Sequence, residues 1–321
     1  MIKIAITGSS GFVGNFLAKH FSSRGIAVFG FDREPLDFQK DYPNFTFVKT
    51  DIRDYQTIKD VFVRENFTHV IHLAYLMKPQ HDRAFEYDVD VNGSKNIFNI
   101  ARETPSVRQF IHFSSVSVYG GWPDTPLWID ENYPLRPREW YYAINKKEIE
   151  EYFFATPKQF KLVNFRMCTA CGNSYFRNDG LVNIIAKSPL GLLLNGVPLL
   201  VQFIHEADVS NLVELIVNDQ EIEGVYNLAP DSYAAEKDLS PNFKIYLPFP
   251  KFLFKFIISL LWNLRLIDVS PTSVDLTAHS IIMTPEKLMK RYNYKFKFNT
   301  KEAFLNDFYK GEKAKYQQRI K

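Results

Sequence analysis

The stretch IAITGSSGFVGNFLAKHF, residues 4–21, places three glycines between an apolar run and an amphipathic one. The run before them, residues 2–6, is short and rich in β-branched side chains, which is typical of a buried strand. The apolar residues after them recur at helical spacing: Phe12, Val13, Phe16, Leu17 and Phe21. We therefore predict a strand-to-helix turn at Gly8, Gly11 and Gly14.

Such a turn is suited to a dinucleotide. Gly8 allows a tight turn, Gly11 has no Cβ to block an approaching pyrophosphate, and Gly14 lets the helix pack closely on the sheet. The first N–H groups of the helix and its dipole then face the anion. The alternative is a glycine-rich turn that binds no ligand.

A second predicted strand, Ala27 to Asp32, ends in an acid eighteen residues after Gly14. An acid at this place accepts hydrogen bonds from the adenosine ribose hydroxyls and repels a 2′-phosphate. The pattern favours NAD over NADP. Arg33 weakens that preference, because a guanidinium beside the ribose tolerates the extra phosphate.

Further strands and helices alternate along the first half of the chain. Strands are predicted near 45–49, 69–74, 109–113 and 161–166, with helices between them, including one over 139–155. Asp51 and Ile52 follow the third strand, where they are placed to meet the edge and face of an adenine; a polar loop with a helix cap is the alternative. The alternation predicts a parallel sheet covered on both faces, with ligands at the carboxyl ends of its strands.

Beyond residue 171 the alternation loosens. We predict an α/β protein with a Rossmann-type, doubly wound parallel sheet. Residues 1–170 form its dinucleotide-binding domain, with returns to the sheet near 200–230, and residues 171–321 form mainly a smaller substrate-binding lobe and C-terminal helices. The length of 321 residues and 46% hydrophobic content leave ample material for a core.

Because the first strand starts at residue 2, we expect no signal peptide and a cytoplasmic protein.

The only two cysteines form Cys168-Thr169-Ala170-Cys171. Two thiols cannot make a four-thiolate zinc site, and no metal site is expected. Buried free thiols are favoured over a redox pair.

Two segments raise the question of further partners. Residues 285–321 carry eleven Lys/Arg against four Asp/Glu, which suits nucleic acid or anionic lipid, but a solvated helical face explains them as well, and no nucleic-acid partner is expected. Residues 249–266, FPKFLFKFIISLLWNLRL, are interrupted by Lys251, Lys255 and Arg265 and are too short to span a bilayer. A helix of the substrate lobe is the default interpretation, and amphipathic surface binding is the alternative.

The reactive chemistry is predicted in WYYAINKKEIEEYF, where Tyr142 and Lys146 lie four residues apart on one helical face. A tyrosine hydroxyl titrates near 10, so a nearby cation is needed to favour its phenolate at neutral pH. Lys146 is that cation. Ser115, at the end of the fifth strand, has a hydroxyl that suits the same substrate oxygen.

With these residues together, the sequence resembles the extended short-chain dehydrogenase/reductase family, in its NAD-dependent epimerase/dehydratase branch. The resemblance covers residues 1 to about 230 and rests on landmarks in family order: Thr7 to Gly14, Asp32, His72-Leu73-Ala74, Asn92-Gly93, Phe113 to Gly120, Tyr142-x-x-x-Lys146 and Phe203-Ile204-His205 with Asp208.

The resemblance implies Tyr142 as acid/base, Lys146 on the nicotinamide ribose, and Ser115 on the reacting hydroxyl. Asn92 is either a water holder or a buried structural amide. The expected cofactor-binding residues are Gly8, Ser10, Gly11, Phe12, Val13, Gly14, Asp32, Arg33, Asp51, Ile52, Leu73, Ala74, Asn92, Ser114, Tyr142 and Lys146.

Departures from the family pattern narrow the reaction. Sugar dehydratases of this branch carry an Asp-Glu pair after the catalytic hydroxyl, where this chain has Val116 and Ser117. An arginine that grips a diphosphate in many nucleotide-sugar epimerases is missing from the approach Pro198 to Gln202, and Cys168 to Asn173 replaces the usual Asn-Val-Tyr-Gly-Pro.

We therefore expect an NAD-dependent enzyme acting on a secondary alcohol of a small-molecule substrate, with nucleotide-sugar epimerisation through a keto intermediate as the leading reaction. A dehydrogenase or reductase of a sterol-like or other apolar alcohol is the second hypothesis. A cofactor-binding structural or regulatory protein is the third. Family members often dimerise through two helices, one carrying the tyrosine, so a homodimer is a further expectation; stable membrane insertion is not.

Overall fold

The computed structural model describes residues 1–35, 41–172, 190–194, 196, 198–235, 238–239 and 245–305. Asn173 and the end of the basic segment, residues 306–321, lie outside the described residues. The chain divides into two units. Unit 1 comprises Met1–Ser115, Asn145–Arg166 and Ser210–Tyr226, and unit 2 comprises Val116–Ile144, Met167–Val209 and Asn227–Lys321.

A seven-stranded sheet forms the centre of unit 1. Its strands are β1 (Lys3–Thr7), β2 (Ala27–Asp32), β3 (Phe45–Lys49), β4 (His69–His72), β5 (Gln109–Ser115), β6 (Lys161–Met167) and β11 (Gly224–Leu228), in the spatial order β11-β6-β5-β4-β1-β2-β3. The helices that accompany it are α1 (Phe12–Ser23), α2 (Tyr55–Glu65), α3 (Arg83–Tyr87), α4 (Gly93–Arg102), α5 (Tyr141–Ala155) and α6 (Glu206–Val217). The predicted doubly wound α/β fold is confirmed.

The strand order reverses direction at β1. β1 pairs in parallel with β2 on one side and with β4 on the other, and its last residue, Thr7, lies opposite Phe31 and His72. In open parallel sheets, ligands bind at the carboxyl ends of the strands where the order reverses. The glycine turn that follows Thr7 occupies that place.

Aromatic side chains hold the helices of unit 1 to the sheet. Phe98 of α4 stacks on Phe153 of α5, with ring centroids 4.3 Å apart, and both pack on Phe110 of β5. All three rings are fully buried. Burying side chains of this size contributes about 2–3 kcal/mol each, so this cluster fixes α4 and α5 relative to the strands.

Unit 2 is built from short strand pairs and helices. β7 (Thr169–Cys171) pairs in parallel with β10 (Phe203–His205), β8 (Leu190–Leu193) pairs in parallel with β13 (Ile245–Pro248), and β9 (Leu200–Val201) pairs antiparallel with β12 (Ala234–Ala235). Helices α7 (Lys251–Asn263) and α8 (Glu286–Tyr292) follow. Both cysteines are free and buried, as predicted, and burial raises the pKa of the Cys168 thiol. An inert thiol, not a redox pair, follows from that environment.

Candidate active site

The glycine turn has the geometry that its sequence predicts. Gly8 has a φ of +72°, and a Cβ there would lie 2.6 Å from the backbone nitrogen of Ala74. At Gly14 a Cβ would lie 2.1 Å from the carbonyl oxygen of Gly8. At Gly11 a Cβ would meet only that same oxygen, at 3.2 Å, and α1 begins there with no side-chain cap. The turn therefore leaves an open face of backbone N–H groups at a helix start.

Asp32, at the end of β2, is tied to the same turn. Its Oδ2 accepts a hydrogen bond from the backbone nitrogen of Ser10 at 3.0 Å, and its Oδ1 accepts one from the backbone nitrogen of Arg33 at 2.7 Å. The hydroxyl of Ser10 donates to the carbonyl of Glu34. These contacts fix the carboxylate beside the glycine turn.

A hydrogen-bond chain links the ends of β1 and β4 to the segment before α4. The Ser94 hydroxyl donates to the carbonyl oxygen of Asp90, so its oxygen accepts from Nε2 of His72, at 2.9 Å. Nδ1 of His72 is then unprotonated and accepts from the Thr7 hydroxyl, at 2.7 Å. The Thr7 oxygen also accepts the backbone N–H groups of Leu73 and Ala74. Leu73 and Ala74 thereby lie against the glycine turn.

Two imidazoles from the neighbouring strands β4 and β5 stack at this end of the sheet. His72 and His112 are fully buried, with ring centroids 5.8 Å apart. Burial, assisted by the charge of Lys146, lowers the pKa of His72 to about 3, and the same two causes lower that of His112 well below its usual value. Both rings are therefore neutral and serve as hydrogen-bonding groups.

Lys146 is a buried cation on α5. Its Nζ donates to the carbonyl oxygen of Phe113 at 2.7 Å and lies 3.9 Å from the centroid of the Tyr75 ring. Burial lowers the pKa of this lysine, while the nearby Asp90 and Glu150 oppose that shift. The carbonyl, the ring face and the two carboxyl groups together favour the positive charge of this buried side chain.

Asp90 is a site residue that the sequence reasoning missed. It is fully buried; Oδ1 accepts from the backbone nitrogen of Leu76 at 2.9 Å, and Oδ2 has no hydrogen-bond partner. Burial raises its pKa, while the Leu76 N–H and Lys146 oppose the rise. The side-chain amide of Asn145 also faces Asp90 and opposes the rise in its pKa. Lys146 thus has a buried counter-charge.

Asn92, by contrast, is exposed and its Nδ2 donates to Asp88 Oδ1 at 3.0 Å. The reason is local: residues Asp88–Asn92 form a π-helical turn between α3 and α4. The extra residue in such a turn changes which side chains face the core. Asp90 therefore faces inward, and Asp88 and Asn92 face outward.

A buried ion pair lies one turn along α5 from Lys146. Glu150 accepts from Arg166 of β6, with Nη2 2.9 Å from Oε2, and also from the hydroxyl of Ser114. Both charged side chains are nearly inaccessible. The Ser114 hydroxyl is thus engaged with Glu150, and the pair locks α5 to β5 and β6.

The two other predicted catalytic residues lie at element ends. Ser115 is the last residue of β5 in unit 1, and Tyr142 is the second residue of α5, in unit 2, where its ring stacks on Trp140 with centroids 4.6 Å apart. Both side chains are half-buried. Tyr142 and Lys146 lie about one turn apart along the same helix.

Asp51 and Ile52 follow β3 as expected. Asp51 pairs with Arg53, whose Nη2 lies 2.9 Å from Oδ2, and this hydrogen bond lowers the pKa of the carboxyl group. Ile52 is buried against Gly93, where a Cβ would come within 2.6 Å of it. Arg33 is exposed.

Gln202, directly before the Phe-Ile-His strand of unit 2, uses its whole amide on the backbone. Its Nε2 donates to the carbonyls of Pro230 and Met283, both at 2.9 Å, and its Oε1 accepts from the nitrogen of Met283 at 2.8 Å. The side chain is buried. It therefore clamps loops together and has no hydrogen-bonding group left for a diphosphate.

Within the part of the chain that the structure describes, no cluster of three His, Cys, Asp or Glu side chains is placed to hold a metal ion.

Comparison with known proteins matches residues 4–229 to the NAD dependent epimerase/dehydratase family. A trifunctional UDP-glucose 4,6-dehydratase/UDP-4-keto-6-deoxy-D-glucose 3,5-epimerase/UDP-4-keto-L-rhamnose-reductase from Arabidopsis thaliana is 25% identical over 246 residues. That alignment covers 70% of this chain and 36% of the relative, so the chain spans about a third of that protein's length.

Solved structures of NAD complexes share the fold. A dTDP-glucose 4,6-dehydratase from Bacillus anthracis superposes with a TM-score of 0.75 at 15% identity, covering 98% of this chain and 97% of that one. A UDP-glucose 4-epimerase from Thermus thermophilus gives 0.74 at 19% identity, covering 96% and 99%. At these identities the likeness shows the fold alone.

Proposed function

Because this chain belongs to the NAD-dependent epimerase/dehydratase family, we propose that it epimerises a secondary alcohol of a nucleotide-linked sugar through a keto intermediate. The observation that carries the proposal is the buried, charged Lys146, which lies four residues after Tyr142 on α5. Relatives with this chemistry in their names support it, among them a CDP-paratose 2-epimerase from Salmonella typhi. The sugar and its nucleotide are part of the proposal.

The glycine turn fits NAD. A pyrophosphate needs close backbone approach and the N–H groups of a helix start, and the turn at Gly11, followed by the start of α1 with no side-chain cap, offers both. Asp32, held by Ser10, is placed to accept the ribose hydroxyls. NAD, when bound, supplies the oxidant that takes a hydride from the substrate carbon and returns it. We expect calorimetry to give tighter binding of NADH than of NADPH, and equal or tighter NADPH binding would assign the ribose pocket to Arg33.

In this proposal Tyr142 takes the hydroxyl proton and returns it. Lys146 favours the phenolate because its charge is held in a dry environment, where a cation stabilises a nearby anion more strongly than in water. Ser115 orients the reacting hydroxyl. Such a positioned acid/base contributes about 10² to 10⁴ in rate.

Dehydration is not proposed, although dehydratases are among the structural neighbours. Loss of water from the sugar needs an acid and a base beside the catalytic hydroxyl. In this chain the segment Val116–Tyr119 forms a 3₁₀ turn, and its first two residues are Val116 and Ser117, the latter buried. Neither side chain is an acid.

A second candidate is a dehydrogenase or reductase of an apolar alcohol. The observation that favours it is Gln202, whose amide is fully occupied by backbone groups where a diphosphate-binding arginine would be needed. A substrate without a diphosphate requires no such group.

The assay that separates the two follows stereochemistry and NADH together. Purified protein is given a panel of nucleotide sugars and a panel of sterol-like alcohols. An epimerase interconverts two sugars with no net change in NADH absorbance, because the hydride returns to the same molecule. Stoichiometric NADH formation or consumption without an epimer would establish the second candidate and overturn the first.

A homodimer and a cytoplasmic location belong to the same proposal. Light scattering during gel filtration measures the first, and fractionation of the source cells measures the second.

A further inference from the structure

Helix α7 of unit 2 exposes a row of large apolar side chains. None of its thirteen residues is buried, and Phe252, Phe256 and Leu260 are 77%, 65% and 52% exposed. These three residues, spaced four apart, form one line along the helix. Further exposed apolar side chains widen the line or continue it past the helix end: Leu253, Ile257, Leu264 and Leu266. We call this set the α7 ridge.

The side of α7 that faces its own unit carries two lysines together with half-buried apolar side chains, among them Phe254 and Ile258. The Nζ atoms of Lys251 and Lys255 lie 3.0 Å and 2.7 Å from the carboxylate of Asp275, which is buried. On a helical projection both lysines lie opposite the α7 ridge. A surface helix normally turns its apolar stripe inward. Here ion pairs and half-buried apolar side chains attach the helix to the unit, and a second apolar stripe, the α7 ridge, is left outward.

A continuous set of seven exposed apolar side chains indicates a binding surface. The charge of the segment favours one occupant. Residues 249–266 contain no acidic residue, and residues 285–321 carry a net charge of +7 in the sequence. Lys251 and Lys255 are paired with Asp275, which leaves Arg265 as the basic residue of the segment that faces outward. Arg265 is exposed at the end of the helix. An anionic surface complements these charges.

A second copy of the chain is a poorer fit. In a pairing through α7, neither copy of residues 249–266 has an acidic residue to pair with the exposed Arg265 of the other. The ridge is also a single strip about 20 Å long, whereas stable interfaces bury about 800 Å² per partner. A bilayer surface needs no matching shape and accepts the whole ridge.

We propose that the α7 ridge docks this protein on anionic lipid membranes, with α7 lying in the plane of the interface. Its Phe and Leu side chains enter the boundary between headgroups and acyl chains, as in other interfacial helices. Among the helices that the structure describes, none has the length and hydropathy to cross a bilayer. The proposed association is therefore peripheral. It does not depend on which alcohol the enzyme uses.

Vesicle flotation of the full chain tests the proposal. We expect the parent protein to float with vesicles of phosphatidylcholine mixed with phosphatidylglycerol, and to float less with phosphatidylcholine alone. The variant Phe252→Ser/Phe256→Ser is expected to lose about tenfold or more of this binding, because apolar burial drives it. Both side chains are exposed, so circular dichroism should show an unchanged fold.

A matched control removes two exposed apolar side chains elsewhere, Val63 and Leu127, which are 61% and 50% exposed. Val63→Ser/Leu127→Ser should float like the parent. Failure of the parent to float, or an equal loss in the control, overturns the proposal. A parent dimer that becomes monomeric in Phe252→Ser/Phe256→Ser, with no flotation of either protein, would assign the ridge to a second copy and also overturn it.

Discussion

At the scale of single residues, the proposed chemistry depends on the hydroxyl of Tyr142. Replacing it by phenylalanine keeps the ring and its stacking on Trp140. We therefore expect Tyr142→Phe to fold and to bind NAD with nearly parental affinity, while kcat falls by about 10²-fold or more. Steady-state kinetics and calorimetry measure the two quantities.

The neighbouring Tyr141 provides a matched control, because it is an exposed tyrosine on the same helix. Tyr141→Phe should retain parental kcat. A Tyr142→Phe enzyme within a few-fold of the parent on its true substrate would remove Tyr142 from the mechanism.

Asp90 is the residue that helps Lys146 stay charged. The isosteric change Asp90→Asn removes a negative charge beside a lysine whose pKa burial already lowers. The pKa of Lys146 then falls further, so the cation is lost at a lower pH. We expect the alkaline limb of the kcat profile to move to lower pH by on the order of one unit.

Asp88→Asn is the corresponding control, since Asp88 lies two residues away but is only half-buried and contacts Asn92 and Arg53. Its profile should overlay that of the parent. If the alkaline limb of Asp90→Asn does not move, Asp90 has no part in setting the charge of Lys146.

At the scale of elements, the glycine turn makes separate demands on folding and on binding. A Cβ at Gly14 would lie 2.1 Å from a backbone oxygen, whereas at Gly11 it would meet only the Gly8 oxygen at 3.2 Å and otherwise enter the open face. We expect Gly14→Ala to lower the melting temperature by several degrees, because backbone must move.

Gly11→Ala is expected to fold with a melting temperature close to that of the parent but to bind NAD about tenfold or more weakly, because the methyl group occupies the pyrophosphate side. Thermal unfolding without ligand and calorimetry with NAD distinguish the two effects. Parental NAD affinity in Gly11→Ala would show that the turn binds no pyrophosphate.

The elements of unit 1 were largely predictable because short apolar runs and the 3.6-residue apolar period of helices are local patterns. Errors occur where tertiary contacts act. The fourth strand was predicted to reach Ala74 but ends at His72, because the N–H groups of Leu73 and Ala74 bond to Thr7. Asp90 was missed because a π-helical turn, which the residue pattern does not reveal, turns it inward.

Helix α7 was predicted as a helix, but its buried face was not. Its amphipathic period predicts a helix, and a helix forms. The period cannot say which face meets the rest of the chain. That choice follows from contacts made in the folded unit, among them the ion pairs of Lys251 and Lys255 with Asp275.

At the scale of the whole molecule, three buried histidines make stability depend on pH. Burial lowers the pKa of His69 to about 4 and that of His72 to about 3, from 6.5, and lowers that of His112 well below that value. Below pH 6.5 these histidines therefore bind protons in the unfolded chain but stay unprotonated in the folded chain. Stability is complete above about 6.5 and is lost as the pH falls from there toward 4.

Each such histidine removes up to about 1.4 kcal/mol of unfolding free energy per pH unit in that window. Three together approach about 4 kcal/mol per unit, against a typical stability of about 5–15 kcal/mol, so we expect a large loss of unfolding free energy between pH 6.5 and 5. Urea titrations from pH 7.5 to about 5 give the slope. His72→Gln should reduce this slope by about a third, because it removes one of the three histidines that stay unprotonated in the folded chain. The same change at exposed His81 should leave the slope unaltered. An unchanged slope in His72→Gln would mean that the acid sensitivity arises elsewhere in the molecule.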